Sequence, residues 1–148
     1  MVATSWGQVV ALEFTLNIEP KSQQRPRFSK WGTYKSRTQA AHDAEMDCQL
    51  FMYAPNKPLE GAVSVEFIAY MPIPKSTPKS VLARLLERLT PHTKKQDIDN
   101  LAKQLLDRMT ALHFWGDDGQ VWRLVACKVY GDKPRWEVRV EEWQDDGL

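Results

Sequence analysis

Along residues 11–18, Leu12, Phe14, Leu16 and Ile18 alternate with Glu13, Thr15 and Asn17. A period of two predicts a strand, and Pro20 ends it. Residues 21–37 carry Pro26 and Gly32 and read as a loop. Over residues 38–53, Ala41, Ala44, Cys48, Phe51 and Met52 recur at steps of three and four, which predicts a helix with that face buried. Met46, Leu50 and Tyr53 form a second stripe on it, and Pro55 and Pro58 close the segment. Residues 62–70 alternate again through Val63, Val65 and Phe67 and predict a second strand. After Pro72, Pro74 and Pro78, residues 80–89 read as a short helix with Val81, Leu82, Leu85 and Leu86 apolar. Residues 91–96 are a polar, basic connector. Residues 98–112 carry the cleanest helical stripe: Leu101, Leu105, Met109 and Leu112, flanked by Ala102 and Leu106. Asp97 or Asp99 is positioned to cap it. Gly116 and Gly119 bracket an acidic turn. Residues 121–130 and 135–140 read as two strands joined by Gly131, Asp132, Lys133 and Pro134, a hairpin by this pattern. The acidic tail at 141–148 is expected to fray.

The order β-α-β-α-α-β-β predicts one mixed α+β domain over residues 1–148, its helices on one face of a mixed sheet. No repeat or linker divides the 148 residues. An apolar fraction of 43% with six Trp supplies a core without disulfides. Cys48 and Cys127 lack metal-ligand spacing and read as reduced, packed thiols. The first residues lack the basic and apolar regions of a secretion signal, and no apolar run approaches the ~20 residues of a membrane span. A soluble, cytoplasmic protein is expected.

The net charge of +1 names no partner, but its distribution does. Lys21, Arg25, Arg27, Lys30, Lys35 and Arg37 fall in a stretch without acids. Lys75, Lys79, Arg84, Arg88, Lys94 and Lys95 form a second basic region, interrupted only by Glu87. Acids gather at Asp97, Asp99, Asp107, Asp117 and Asp118. Such a chain can hold a polyanion and a divalent cation together. Arg25, Arg27, Lys30, Lys94 and Lys95 are the candidate phosphate contacts. Phe28, Trp31 and Tyr34 interleave with the first basic stretch and suit stacking on exposed bases, although at least one of them is expected in the core or an interface.

Asp97 and Asp99 stand two apart where a loop becomes a helix. In an extended segment residues two apart point the same way, so both carboxylates can face one cation. Mg²⁺ prefers oxygen ligands and often takes one or two carboxylates plus waters and substrate phosphate; the absence of nearby His or Cys argues against zinc. Lys103, four residues after Asp99, shares its helix face and can balance the carboxylates or meet a phosphate. Helix capping at Asp97 or Asp99, an ordinary turn at Asp117 to Gly119 and surface pairing of Lys103 account for each signal taken alone. Three function classes share these features: a metal-dependent nuclease, a metal-dependent nucleotide phosphohydrolase and a non-catalytic branched-DNA-binding protein. The basic stretch disfavours the second, and the carboxylates, which repel phosphate, disfavour the third. His42, His92 and His113 are isolated, and none is needed to activate water.

Asp97-Ile98-Asp99-Asn100-Leu101 with Lys103 and Asp107, then Trp115, Asp117-Asp118, Gln120-Val121 and Lys128, resembles the RusA family of Holliday junction resolvases. Pro20-Lys21 and Gln24-Arg25-Pro26-Arg27 resemble that family's basic loop after its first strand. The resemblance runs from about residue 11 to 140, in three separated blocks. It implies a small homodimeric crossover junction endodeoxyribonuclease of recombination and repair, often encoded by a phage or prophage. Such an enzyme binds four-way DNA and nicks two strands symmetrically with Mg²⁺, with Mn²⁺ as a substitute. It further implies that Asp97, Asp99 and Asp118 are the metal-binding catalytic carboxylates, Lys103 the essential lysine and Asn100 a supporting amide. Two departures stand out: Gln96 where many members have Pro, and the stretch 113–116, which varies in length and composition.

Overall fold

The computed structural model describes residues 9–23 and 27–144. Their elements run β1 (Val9–Leu16), β2 (Arg27–Ser29), β3 (Gly32–Tyr34), α1 (Arg37–Phe51), β4 (Ala62–Met71), α2 (Lys79–Glu87), α3 (Ile98–Ala111), a 3-10 turn (Asp118–Gln120), β5 (Val121–Tyr130) and β6 (Arg135–Trp143). Four strands form a mixed sheet in the order β1-β6-β4-β5, and β2 pairs only with β3. The α+β fold is as expected. Met46 and Leu50 of α1 and Leu101, Leu105 and Met109 of α3 share one core with Phe14, Leu16, Val65, Phe67, Trp136 and Val138 of the sheet. β4 takes a central place because Val63, Val65, Phe67, Ala69 and Met71 are all buried, and Ser64 on its other face is buried too. Only an apolar stretch withstands such loss of water.

The last two strands form, but not as a hairpin. β5 pairs in parallel with β4, Val65 opposite Leu124 and Phe67 opposite Ala126, while β6 pairs antiparallel with the other edge of β4. Residues 131–134 therefore cross the end of β4. The Gly131 N–H donates to Met71 O at 3.0 Å. A Cβ at Gly131 would lie 2.9 Å from Tyr70 Cβ and Cδ1, so this close crossing requires glycine. A period-two pattern looks the same whether a strand pairs with its chain neighbour or skips one. The start of the tail, residues 141–143, is strand instead of frayed chain, and residues 145–148 lie outside the described residues. Glu141 pairs with both Ala11 and Ser64, because β6 continues to Trp143.

The first basic stretch is not wholly a loop, since it contains the β2–β3 hairpin. Phe28 is 82% and Trp31 87% exposed at its tip, with the Lys30 ammonium 5.2 Å from the Trp31 ring. Neither aromatic joins the core; the Tyr34 side chain, like Gln24, Arg25, Pro26 and the side chain of Arg27, lies outside what is described.

Helix α1 starts at Ser36, whose hydroxyl accepts the Gln39 N–H at 3.1 Å. Its expected burial is reversed. Ala41, Ala44, Cys48, Phe51 and Met52 are exposed, and Gln39, Asp43, Met46 and Leu50 are buried. The packed-thiol expectation falls with it: Cys48 on this outer face and Cys127 on β5 are both free and exposed.

The reversal has a polar cause. Asp43, 6% exposed, accepts Gln39 Nε2 at 2.7 Å, Gln104 Nε2 at 2.6 Å and Lys35 Nζ at 2.7 Å. Gln104 is fully buried on α3, so this carboxylate joins both helices and the end of the basic stretch. Burial pushes the Asp43 carboxyl up. The hydrogen bonds from Lys35, Gln104 and Gln39, with the Lys35 charge, outweigh it and hold the group below the ordinary carboxylate range. A carboxylate depressed in the folded state stabilises above its unfolded pKa of about 3.9, and that contribution is lost as pH falls through the folded value. Asp43→Ala is expected to cost about 3 kcal/mol in urea unfolding at pH 7. The deficit should shrink below about pH 4; equal deficits at both pH values would mean that the charge is not what counts.

Candidate active site

Asp97 occupies the N-cap of α3 in extended conformation, yet its carboxylate makes no capping hydrogen bond. The capping explanation for this residue therefore fails. Asp99 lies in the first helical turn. The period-two argument for the pair fails as well, because Asp99 is already helical; the two share a helix start rather than a strand face. Both are exposed, and neither side chain bonds or pairs with another described residue. The start of a helix favours negative charge, which makes it tolerable to keep two carboxylates free there. Lys103 is exposed one turn along from Asp99.

The loop ahead of the pair is tightly held. Lys128 Nζ donates to Lys94 O at 2.9 Å and to Gln96 O at 2.7 Å. Gln96 itself is left-handed, with φ 88°. Proline, fixed near −65°, cannot adopt that conformation, so the Pro that the resemblance led us to expect here does not fit this backbone. Lys94 and Lys95 are exposed in this loop, directly beside the carboxylates.

Beyond α3 the chain turns sharply. The His113 N–H donates to Thr110 O and the Phe114 N–H to Met109 O, both at 3.1 Å, with His113 left-handed at φ 62°. That double closure ends the helix and buries Phe114 and Trp115. Asp117 then caps the 3-10 turn, accepting the Gly119 N–H at 3.0 Å. Of the paired acids, Asp117 is thus structural, and the exposed Asp118 is left without a side-chain partner among the described residues.

Asp118 does not join the other two carboxylates. α3 has 14 residues, about 20 Å of rise. Its N-terminal end is tied to Lys128, late in β5. Its C-terminal end is tied to the segment just before β5, through Trp115 Nε1 to Thr110 Oγ1 at 2.8 Å. Asp97 and Asp118 therefore stand at opposite ends of the helix. Among the described residues no group of three or more His, Cys, Asp or Glu side chains is close enough to hold a metal ion.

A family model for endodeoxyribonuclease RusA matches residues 17–141. The chain belongs to the RusA family. It is 31% identical over 137 residues to the uncharacterized protein YqaN of Bacillus subtilis (strain 168), which spans 88% of this chain and 96% of that one. It is 44% identical over 50 residues to the crossover junction endodeoxyribonuclease RusA of Lactococcus phage r1t, 34% of this chain and 38% of that protein. The protein is accordingly an endodeoxyribonuclease of the RusA type, a class that depends on divalent metal ions. No helix among its described residues is long and apolar enough to cross a membrane.

Two residues of the RusA pattern acquire roles that sequence reading left undefined. Gln120 uses its whole side-chain amide. Nε2 donates to Leu59 O at 2.8 Å and Gly61 O at 3.0 Å, and Oε1 accepts the N–H groups of Gly116 at 2.9 Å and Asp117 at 3.0 Å. It fixes the turn that carries Asp118 to the entry of β4. Lys128, equally part of the pattern, braces the loop before Asp97. Asp107 accepts Gln23 Nε2 at 3.1 Å. Their place beside the acids in the RusA-like pattern was the available signal.

Proposed function

We propose that this RusA-family protein is a Holliday junction resolvase that acts as a homodimer and makes paired, symmetric nicks with Mg²⁺. The observation that carries the reading is the uncommitted carboxylate pair at the start of α3, with Asp97 at a cap position it does not use. Asp97 and Asp99 would hold the cation, as hard oxygen donors with no Cys or His at ligand spacing. When bound, the cation supplies activation of a water molecule and neutralisation of charge growing on the phosphate. Lys103 holds a positive charge one turn away, suited to the scissile group or the leaving oxygen. Products would be a 5′-phosphate and a 3′-hydroxyl.

Asp118 completes the site from a second copy. One chain keeps this carboxylate about a helix length from Asp97. A two-fold dimer can place the end of one subunit beside the start of the other, and paired nicks in a two-fold junction ask for two such sites.

Lys30 on the exposed hairpin and Lys94 and Lys95 beside the carboxylates would contact phosphates, with Arg25 and Arg27 from the same basic stretch. Phosphate contacts position DNA without reading sequence. Junction affinity should fall steeply with salt, and Lys30→Ala, Lys94→Ala and Lys95→Ala should each lower the log–log slope by about one. A slope unchanged by all three removes them from the interface. Phe28 and Trp31 would stack on bases opened at the junction centre. Recombination and repair in the cytoplasm, on phage or bacterial DNA, is the setting this chemistry serves.

The deciding experiment offers a labelled four-way junction and a linear duplex of the same sequence, each with Mg²⁺ or EDTA. Symmetric nicks in the junction alone, with Mg²⁺ alone, are expected. Tight binding without cleavage under all conditions would make this a binding protein, and hydrolysis of free nucleotides offered in parallel, with the junction uncut, would make it a phosphohydrolase.

A further inference from the structure

The basic stretch is held at both of its described ends, residues 22–23 and residue 35. At its start, the Ser22 N–H donates to Gln96 Oε1 at 2.5 Å, and Gln23 Nε2 reaches Asp107 at 3.1 Å. At its end, Lys35 reaches Asp43, which Gln104 of α3 also engages. Asp43, Gln104 and Asp107 sit along the body of the fold. Gln96 differs: it immediately precedes Asp97, its carbonyl is held by Lys128, and its left-handed backbone aims the side chain at the basic stretch. One residue thus links three parts: the phosphate-binding stretch, the sheet and the first carboxylate.

We infer that Gln96 is a positioning residue, fixing which phosphate of the DNA held by the basic stretch arrives at Asp97 and Asp99. The inference rests on the reading of the protein as a junction nuclease. A proline here would offer neither the amide nor the backbone conformation, so the linkage depends on this side chain.

Phosphates along a strand are discrete targets, and a misplacement of about 1 Å can cost a hundredfold in rate. A clamp at the base of the stretch, next to the carboxylate, controls that distance better than contacts at its tip. A role in folding alone would predict lost stability with an unchanged cutting position.

Two variants separate these roles. Gln96→Asn keeps an amide and tolerates positive φ, but is one methylene too short for Ser22. Gln96→Glu keeps both reach and acceptor. Hydrogen exchange at the Ser22 amide is measured on the free protein, and nick positions, kcat and KM on a four-way junction with Mg²⁺. In Gln96→Asn, Ser22 exchange should rise at least about tenfold, and nicks should spread to neighbouring phosphates with kcat down about tenfold or more. Gln96→Glu should restore protection of Ser22 and the single nick position. Unchanged Ser22 exchange in Gln96→Asn overturns the linkage, whatever the activity. Faster exchange with wild-type nick positions and kcat overturns the positioning role. A wild-type protein that protects Ser22 but cuts no junction overturns the reading of function, and the inference falls with it.

Discussion

Asp97→Asn is expected to lower junction nicking by about 10³-fold or more while leaving junction affinity equal or higher. Asp97 is exposed and its carboxylate bonds to no described residue, so an amide of the same shape costs the fold almost nothing. Its thermal midpoint should match the wild type within error. What is lost is a full negative charge among the few oxygens available to a divalent cation, and an amide oxygen is a much poorer ligand for Mg²⁺. Binding moves the other way, because a carboxylate beside DNA repels phosphate when no cation bridges them. The check is nicking rate and junction affinity measured on the same preparation, with Mg²⁺ and with Ca²⁺ or EDTA. An Asp97→Asn protein that cuts at the wild-type rate would remove Asp97 from the site. One that loses binding in parallel with cutting would mean that the residue holds the DNA surface together instead.

The elements of this fold were legible because their apolar spacing is strong: α3 and β4 match their expected spans within one residue, and β5 matches in full. The partnerships were not. Nothing in residues 121–140 reports that β4 lies between β5 and β6; that is decided by which strand best tolerates burial on both faces. The burial of α1 was misread for a related reason. An apolarity count ranks Ala41, Ala44 and Cys48 above Gln39 and Asp43, but Asp43 is satisfied by three donors and its burial is thereby offset. The candidate site was legible as chemistry and not as geometry. Asp97, Asp99 and Lys103 lie together because they lie together in sequence. Asp118 was grouped with them by pattern, and no spacing rule carries the information that α3 holds the two ends apart.

That separation makes a second prediction with a large effect. Asp97→Asn and Asp118→Asn should each be inactive alone, and co-refolded one to one they should recover about a quarter of wild-type sites. Random pairing gives half mixed dimers. If each site takes Asp97 and Asp99 from one copy and Asp118 from the other, a mixed dimer contains one site with both substitutions and one with neither. Half the dimers then carry one working site of two, and they should release singly nicked junctions instead of resolved ones. If Asp118 instead served the Asp97 of its own chain, every site in every dimer would carry one substitution, and the mixture would stay as inactive as its parts. A native-gel assay that separates nicked from resolved junctions distinguishes the two cases. Activity of Asp118→Asn alone would give a third answer, that the pair at the start of α3 holds the cation without it. Because α3, about 20 Å long, separates the segments that carry the two carboxylates, a side-chain rotation within one chain does not join them, and the recovered nicking therefore reports the second copy.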